Sequence, residues 1–156
     1  MAAPNPKSAL GQTTGDRQPK VAHLKDSVRV EFGPLAHYHP LLADGTTPIR
    51  TGIQTSEPGY VAPVHWHPYD EILMIIEGKA SAWLEGRESE AVHLDAGDTI
   101  MLPANVPHSF SVVGDQPMRL VGIHLNPDRV VNYHDRESDA QGYPVWDANE
   151  STKDEG

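Results

Sequence analysis

Apolar and polar residues alternate in short segments between residues 49 and 125, and glycine, proline and aspartate separate these segments. Alternation with a period of two places successive side chains on opposite faces of a β-strand. Strands of about five residues at about eight-to-twelve-residue spacing predict an all-β sandwich or barrel, and no helical pattern competes before residue 126. The predicted strands are 49–55, 61–66, 71–77, 80–85, 90–94, 99–102, 108–113 and 118–125.

The two ends of the chain differ from this pattern. Residues 1–26 are rich in proline, glycine and lysine without periodicity, which predicts a flexible N-terminal arm. We expect one domain, with the β-barrel over 27–126. Residues 127–156 predict an acidic, partly disordered C-terminal extension. The side chains expected to anchor that extension to the barrel are Tyr133, Tyr143, Val145 and Trp146.

Two apolar stretches bear on the assembly of the protein. Residues 72–76 are apolar on both faces, so one face should line the barrel and the other should be covered by a second sheet, the tail or another subunit. Residues 27–32 alternate and predict an edge strand that could pair with a partner. The proline-rich residues 33–48 predict a surface loop over the barrel mouth. We therefore expect a homodimer.

Composition limits the classes of function. The chain has 156 residues and no cysteine, which excludes disulfides, thiolate metal sites and cysteine nucleophiles. A formal charge of −10 with only 12 scattered Lys and Arg residues argues against nucleic-acid binding. No apolar run is long enough for a signal core or a membrane span, so we expect a soluble, cytoplasmic protein.

Four residues have the chemistry and spacing of metal ligands. Side chains two apart in a strand lie on one face, about 7 Å apart, so His65 and His67 can reach one ion. Residues 68–70 predict a turn, which places the carboxylate of Glu71 beside them at the start of the next strand. His108 follows a turn bounded by two prolines and adds a third imidazole.

The order of these residues resembles the two motifs of the cupin superfamily over about residues 48–125. The matching residues are Gly59, His65, His67, Glu71 and Gly78, then Gly97, Pro103 and His108. The second motif departs at Asn105, where the family usually has glycine, and at Val112, where it often has asparagine. Asparagine tolerates left-handed backbone, so Asn105 should keep the turn. The resemblance implies a jelly-roll barrel, or double-stranded β-helix, that holds one metal ion.

Three imidazoles and one carboxylate suit a divalent ion of intermediate softness. We expect one ion per chain, with Fe(II) favoured and Mn(II), Ni(II), Zn(II) or Co(II) as alternatives. An ion that takes six ligands would keep two positions open for substrate oxygens or O₂.

Two further residues are candidates for the substrate pocket. Arg50 would clamp a substrate carboxylate if its face of the strand points inward, and a surface ion pair is the alternative. His124 shares a face with Leu120 and Gly122 and could act as acid or base, although a hydrogen-bonded core histidine is the alternative.

The resemblance implies action on a small molecule, and we favour an oxidoreductase of the dioxygenase type that activates an oxygen chelate toward O₂. The same residues would serve a metal-dependent isomerase or lyase that uses the ion as a Lewis acid. A third alternative is a metal-binding or sugar-binding protein without catalysis.

Overall fold

The computed structural model describes residues 18–147, which form eleven β-strands and two short 3₁₀ helices, Leu24–Asp26 and Glu88–Glu90. Within this range no helix has the length and apolar character needed to cross a bilayer. The strands are β1 (Val30–Glu31), β2 (Ala36–Pro40), β3 (Arg50–Ser56), β4 (His65–Trp66), β5 (Glu71–Glu77), β6 (Lys79–Leu84), β7 (Val92–Asp95), β8 (Thr99–Leu102), β9 (His108–Val112), β10 (Met118–His124) and β11 (Asn132–Tyr133).

The strands form two antiparallel sheets, which confirms the predicted all-β jelly-roll barrel. One sheet has six strands in the order β1-β2-β3-β10-β5-β8, and the other has five in the order β11-β4-β9-β6-β7. Consecutive strands of the sequence repeatedly fall in different sheets, so the chain winds between them. The strands that carry the predicted ligands, β4, β5 and β9, are therefore brought together around one interior.

The core lies between the two sheets and consists of alternate residues of their strands. The six-stranded sheet contributes Leu73, Ile75 and Leu120, and the five-stranded sheet contributes Ala82 and Phe110. Burying one such large aliphatic side chain stabilises the fold by about 1.5–3 kcal/mol.

Two turns next to the motif strands need unusual backbone angles. Gly78, between β5 and β6, has φ +76°, and a Cβ there would overlap the carbonyl oxygen of Pro117. Asn105 has φ 62° and is the only non-glycine residue with positive φ in the described range. This confirms that Asn105 keeps the turn where related motifs have glycine.

Some predicted element boundaries were wrong. The strand predicted over 27–32 is only Val30–Glu31, and the loop predicted over 33–48 contains β2. In β2, buried Ala36 and Tyr38 alternate with less buried residues, as in other strands. The histidines beside Tyr38 and the following Pro40 make this alternation hard to recognise in the sequence. The strand predicted over 61–66 narrows to His65–Trp66 because Pro63 cannot donate a ladder hydrogen bond.

The terminal regions are described only in part. Residues 1–17 and 148–156 lie outside the described range, and with them most of the predicted arm and the end of the extension. Residues 18–26 are exposed. Residues 128–147, called here the C-terminal segment, fold against the barrel: β11 pairs with β4, and Val131 and Tyr143 are buried.

The outer face of the six-stranded sheet carries an apolar patch that crosses four strands in register. Its residues are Ile53, Ile72, Met74, Met101, Val121 and Ile123. Met101 is 55% exposed. Contiguous apolar patches of this kind mark interaction surfaces.

We expect a second copy of the chain to cover this patch. Light scattering at micromolar concentration should give twice the chain's 17.1 kDa. Met101→Glu should shift the protein toward monomer because it puts a charge into the interface, whereas Val92→Glu, on the other sheet, should not. A wild-type mass of one chain would contradict the expectation.

Candidate metal centre

The two sheets bring the four predicted ligands together. His65 begins β4 and pairs directly with His108 at the start of β9. His67 follows β4 on the same face as His65, and Glu71 begins β5. One potential ligand atom from each of the four residues lies within 4.8 Å of the others. These four residues are called the metal centre below.

The metal centre is largely closed to solvent. His67, Glu71 and His108 are buried, and His65 is half-buried at the edge of the cavity. Glu71 Oε2 lies 2.5 Å from His67 Nε2 and 3.6 Å from His108 Nε2. One carboxylate oxygen thus faces two imidazole nitrogens.

The backbone sets the tautomer of each imidazole. Every Nδ1 in the centre lies within hydrogen-bonding distance of a main-chain carbonyl oxygen, so Nδ1 carries the proton and Nε2 is left with a free lone pair. A carbonyl that holds the second nitrogen is the usual support of a metal-binding histidine. The pairs are His65 with Pro63 at 2.7 Å, His67 with Val130 at 2.8 Å and His108 with Val106 at 3.0 Å.

Three of the converging atoms lack a normal partner. His67 Nε2, His108 Nε2 and Glu71 Oε2 are buried and have no hydrogen bond within residues 18–147. Leaving such polar atoms unpaired costs free energy, and a bound cation would satisfy all three together. The residues therefore fit a divalent metal ion.

The protonation states agree with this fit. Burial alone raises the pKa of the Glu71 carboxyl, but the adjacent imidazoles of His124 and His67 outweigh it and hold that pKa well below its ordinary value. Burial, then the neighbouring His108 and His67, holds the pKa of His65 well below its ordinary value. The carboxylate is ionised and this imidazole neutral at pH 7, as ligands must be.

Comparison with known proteins agrees with this arrangement. Residues 52–124 match the family model described as the cupin domain. Polyketide synthase CurC of Streptomyces cyaneus is 34% identical over 113 residues, which are 70% of this chain and 71% of that protein. The chain belongs to the cupin superfamily. Auxin-binding protein 5 of Zea mays is 29% identical over 73 residues, covering 43% of this cupin and 49% of that protein.

Solved structures show the same fold. The S161A mutant of Bacillus subtilis oxalate decarboxylase matches 71% of this cupin with a TM-score of 0.62 and 24% identity. Another oxalate decarboxylase structure matches 86% of it with a TM-score of 0.65 and 20% identity. This cupin spans only 31% and 38% of those chains. One matched structure concerns the Mn(II) centres of the Bacillus enzyme.

A chain of hydrogen bonds runs beside the metal centre. The Val130 N–H donates to Tyr69 Oη over 3.0 Å, and the Tyr69 O–H donates to the Val130 carbonyl over 3.2 Å. Tyr69 Oη therefore accepts the Nδ1–H of His124 across 2.6 Å, which leaves His124 Nε2 as an acceptor. That Nε2 lies 3.4 Å from Arg129 Nη1 and 3.6 Å from Glu71 Oε1.

These contacts decide what His124 can do. The structure places His124 in the cavity lining, with both ring nitrogens engaged. Burial, which outweighs the opposing charge of Glu71, lowers the pKa of His124 to about 3. The ring is therefore neutral at pH 7 and a weak base. Burial also raises the pKa of Tyr69 to about 12, so its hydroxyl keeps its proton.

The cavity lining contains Arg129 and Arg136 but not the predicted Arg50. Arg129 lines the cavity together with His65, His67 and Glu71, whereas Arg50 is absent from the lining and has its Nη2 3.5 Å from Tyr143 Oη. Arg129 belongs to the C-terminal segment, which sequence reasoning treated as an extension. The anchors expected from the sequence, Tyr133, Tyr143, Val145 and Trp146, had indicated docking on the barrel; of these Tyr143 is buried, whereas Val145 is exposed.

The cavity itself is small and mixed in character. Its volume is about 40 Å³, room for roughly three water molecules. Leu73, Phe110 and Leu120 form an apolar wall, and Tyr60 and Tyr133 add hydroxyl groups.

Loss of a ligand should remove most of the metal. We expect His67→Ala or His108→Ala to abolish stoichiometric binding, because either change removes one of four donors. Glu71→Gln should bind more weakly than wild type but better than the histidine variants, since an amide oxygen can still coordinate. Metal analysis and calorimetry measure both effects. Full metal content in a double histidine variant would contradict the assignment.

The C-terminal segment should also affect metal affinity, because the Val130 carbonyl holds His67. A chain that ends at Pro127 should bind Zn(II) about 10–100-fold more weakly, as is usual when the support of a ligand is lost. A chain that ends at Asp147 is the matched control and should bind as wild type does. Equal affinity of both truncated chains, measured by calorimetry, would show that the segment does not support the site.

Proposed function

We propose that this cupin is a mononuclear metal-dependent enzyme of the dioxygenase type, which oxidises a small substrate that chelates the ion through two oxygens. The observation that carries the proposal is the combination of a fitted metal centre with a cavity that lacks a ready base. Within residues 18–147, the lining groups able to accept a proton are metal ligands, the weak base His124 and tyrosines. Burial raises the pKa of Tyr60 and Tyr133, so these hydroxyls are neutral.

This combination favours chemistry centred on the ion over chemistry that begins with proton removal by a side chain. When bound, the ion would supply Lewis acidity and, as Fe(II), a redox centre for reaction with O₂. The donor set also accepts Mn(II), Ni(II), Zn(II) or Co(II). The apolar wall of Leu73, Phe110 and Leu120 would limit the access of water to the ion. The hydrogen bond between Tyr69 and His124 would hold the side chains beside Glu71 in place.

A second candidate is a lyase or cyclase-like reaction of an enolate without O₂. It is favoured by the similarity to polyketide synthase CurC, because polyketide chains carry β-dicarbonyl units that enolise readily and chelate metals through oxygen. Such a substrate would need little help from a protein base once its enolate is bound to the ion. A purely binding protein is the third possibility, and the partial similarity to auxin-binding protein 5 supports it.

Oxygen dependence separates these candidates. The Fe(II)-loaded protein should consume O₂ with a substrate drawn from a panel of β-diketones, catechols and thiols, and turnover should stop under anaerobic conditions while binding continues. The Zn(II)-loaded protein is the control and should bind but not oxidise. Undiminished anaerobic turnover would support the second candidate, and binding without turnover in either atmosphere would support the third.

The variant His124→Gln tests whether His124 acts as a base. Glutamine keeps a hydrogen-bond donor and an acceptor but cannot take up and release a proton at neutral pH. We expect unchanged metal content and O₂-dependent turnover within about tenfold of wild type. A loss of O₂-independent turnover by ~10²-fold, with metal content unchanged, would instead assign His124 as the base of a lyase or isomerase.

A further inference from the structure

We infer that Arg129 is an anion-binding residue of the cavity and that the substrate carries a negative charge, as a carboxylate or enolate, beside its metal-chelating oxygens. This inference deepens the proposed function and rests on it for the identity of the site. It concerns a residue outside both metal-binding motifs, on the C-terminal segment.

The first observation is a positive charge with no carboxylate in direct contact among the described residues. The Arg129 guanidinium faces the cavity, and within residues 18–147 no carboxylate oxygen lies within 4.0 Å of it. On the metal side, Arg129 Nη1 lies 3.4 Å from Nε2 of the neutral His124, and Glu71 Oε1 lies 3.6 Å from that same nitrogen. Buried or partly buried charges in proteins are normally paired, so this one is placed to receive a charged ligand.

The second observation is a cage that holds the guanidinium in place. Phe32, Tyr38 and Tyr143 surround it, with ring centroids 5.3, 5.1 and 5.3 Å from Arg129 Cζ. The Arg129 Nε–H donates to the Gly142 carbonyl over 2.8 Å. Aromatic faces attract a cation without neutralising it. Arg129 is therefore preorganised and keeps its positive charge for a ligand.

Strands β2 and β3 position one ring of this cage. Tyr38 on β2 stacks on Phe32 with their ring centroids 5.0 Å apart, and it passes directly over Gly52 of β3. A Cβ on Gly52 would overlap the Tyr38 ring. The Tyr38 hydroxyl is buried and has no hydrogen-bond partner in the described range, so its ring, not its hydroxyl, accounts for its position.

The third observation is the charge balance of the cavity. Among the described residues, its lining contains one carboxylate, Glu71, and two arginines, of which Arg136 is 3.2 Å from Asp135. With a divalent ion on the metal centre, Glu71 neutralises only half of the ion's charge, and Arg129 adds another positive charge. An anionic ligand would restore the balance, whereas a neutral ligand would leave the excess in a partly desolvated site.

The fourth observation is size. A volume of about 40 Å³ admits a group of a few atoms, such as a carboxylate or the enolate end of a longer molecule. Oxalate, a small dianion that chelates through two oxygens, is therefore a suitable probe, and oxamide is its neutral isostere. The planar guanidinium fork matches a carboxylate through two hydrogen bonds.

The test is calorimetric binding of oxalate and oxamide to the Zn(II)-loaded full-length protein, which requires no turnover. Arg129→Met should weaken oxalate binding about 10–100-fold at unchanged Zn(II) content and leave oxamide binding within about threefold. Arg129→Lys should fall between wild type and Arg129→Met, because it keeps the charge and loses the fork. Arg87→Met changes an exposed arginine that does not line the cavity; it is the control and should bind oxalate as wild type does.

Equal oxalate affinity in wild type and Arg129→Met would overturn the inference. If Arg129→Met fails to fold, a crystal structure of the wild-type protein with Zn(II) and oxalate decides: an oxalate oxygen within about 3 Å of the guanidinium supports the inference, and oxalate bound away from Arg129 overturns it. Zn(II) is redox-inactive, so this experiment measures anion binding without turnover. A failure of the anion site is therefore distinguishable from an absence of dioxygenase activity.

Discussion

The hydrogen bonds from three imidazole Nδ1 atoms to backbone carbonyls determine how the rest of the site works. Each bond places the proton of a ring on its outer nitrogen, so the inner Nε2 lone pairs of His65, His67 and His108 converge on Glu71. The carbonyls belong to ordered main chain next to the strands, so the sheets themselves orient the ligands. A bound cation would offset the cost of the unpaired inner atoms, because it would contact all of them at once.

One of these hydrogen bonds, from His67 to the Val130 carbonyl, links the C-terminal segment to the metal centre. Val130 accepts from both His67 and Tyr69, and the preceding Arg129 carries its charge into the cavity. Ligand support, the hydrogen bond to His124 and the cationic wall thus all come from consecutive residues of one segment. A stretch that is irregular in secondary structure contributes as much to the cavity as a barrel strand does.

The sequence predicted the parts that depend on local spacing. His65 and His67 share a strand face whatever the rest of the fold, and Asn105 marks a left-handed turn by its residue type. The position of Arg129 in the cavity was not predictable, because it depends on contacts with Phe32 and Tyr38, far away in the chain. β2 was missed for a related reason. Its histidines and proline resemble a loop, and only the packing of Tyr38 in the cage shows the alternation.

The most direct test of this account is a crystal structure of the metal-loaded protein with anomalous diffraction at the absorption edge of the metal. The account predicts one ion per chain, about 2.0–2.2 Å from Nε2 of His65, His67 and His108 and from a carboxylate oxygen of Glu71, with every Nδ1 still on its carbonyl. An ion bound elsewhere, or one held through an Nδ1 atom, would contradict the claim that the backbone presets these ligands.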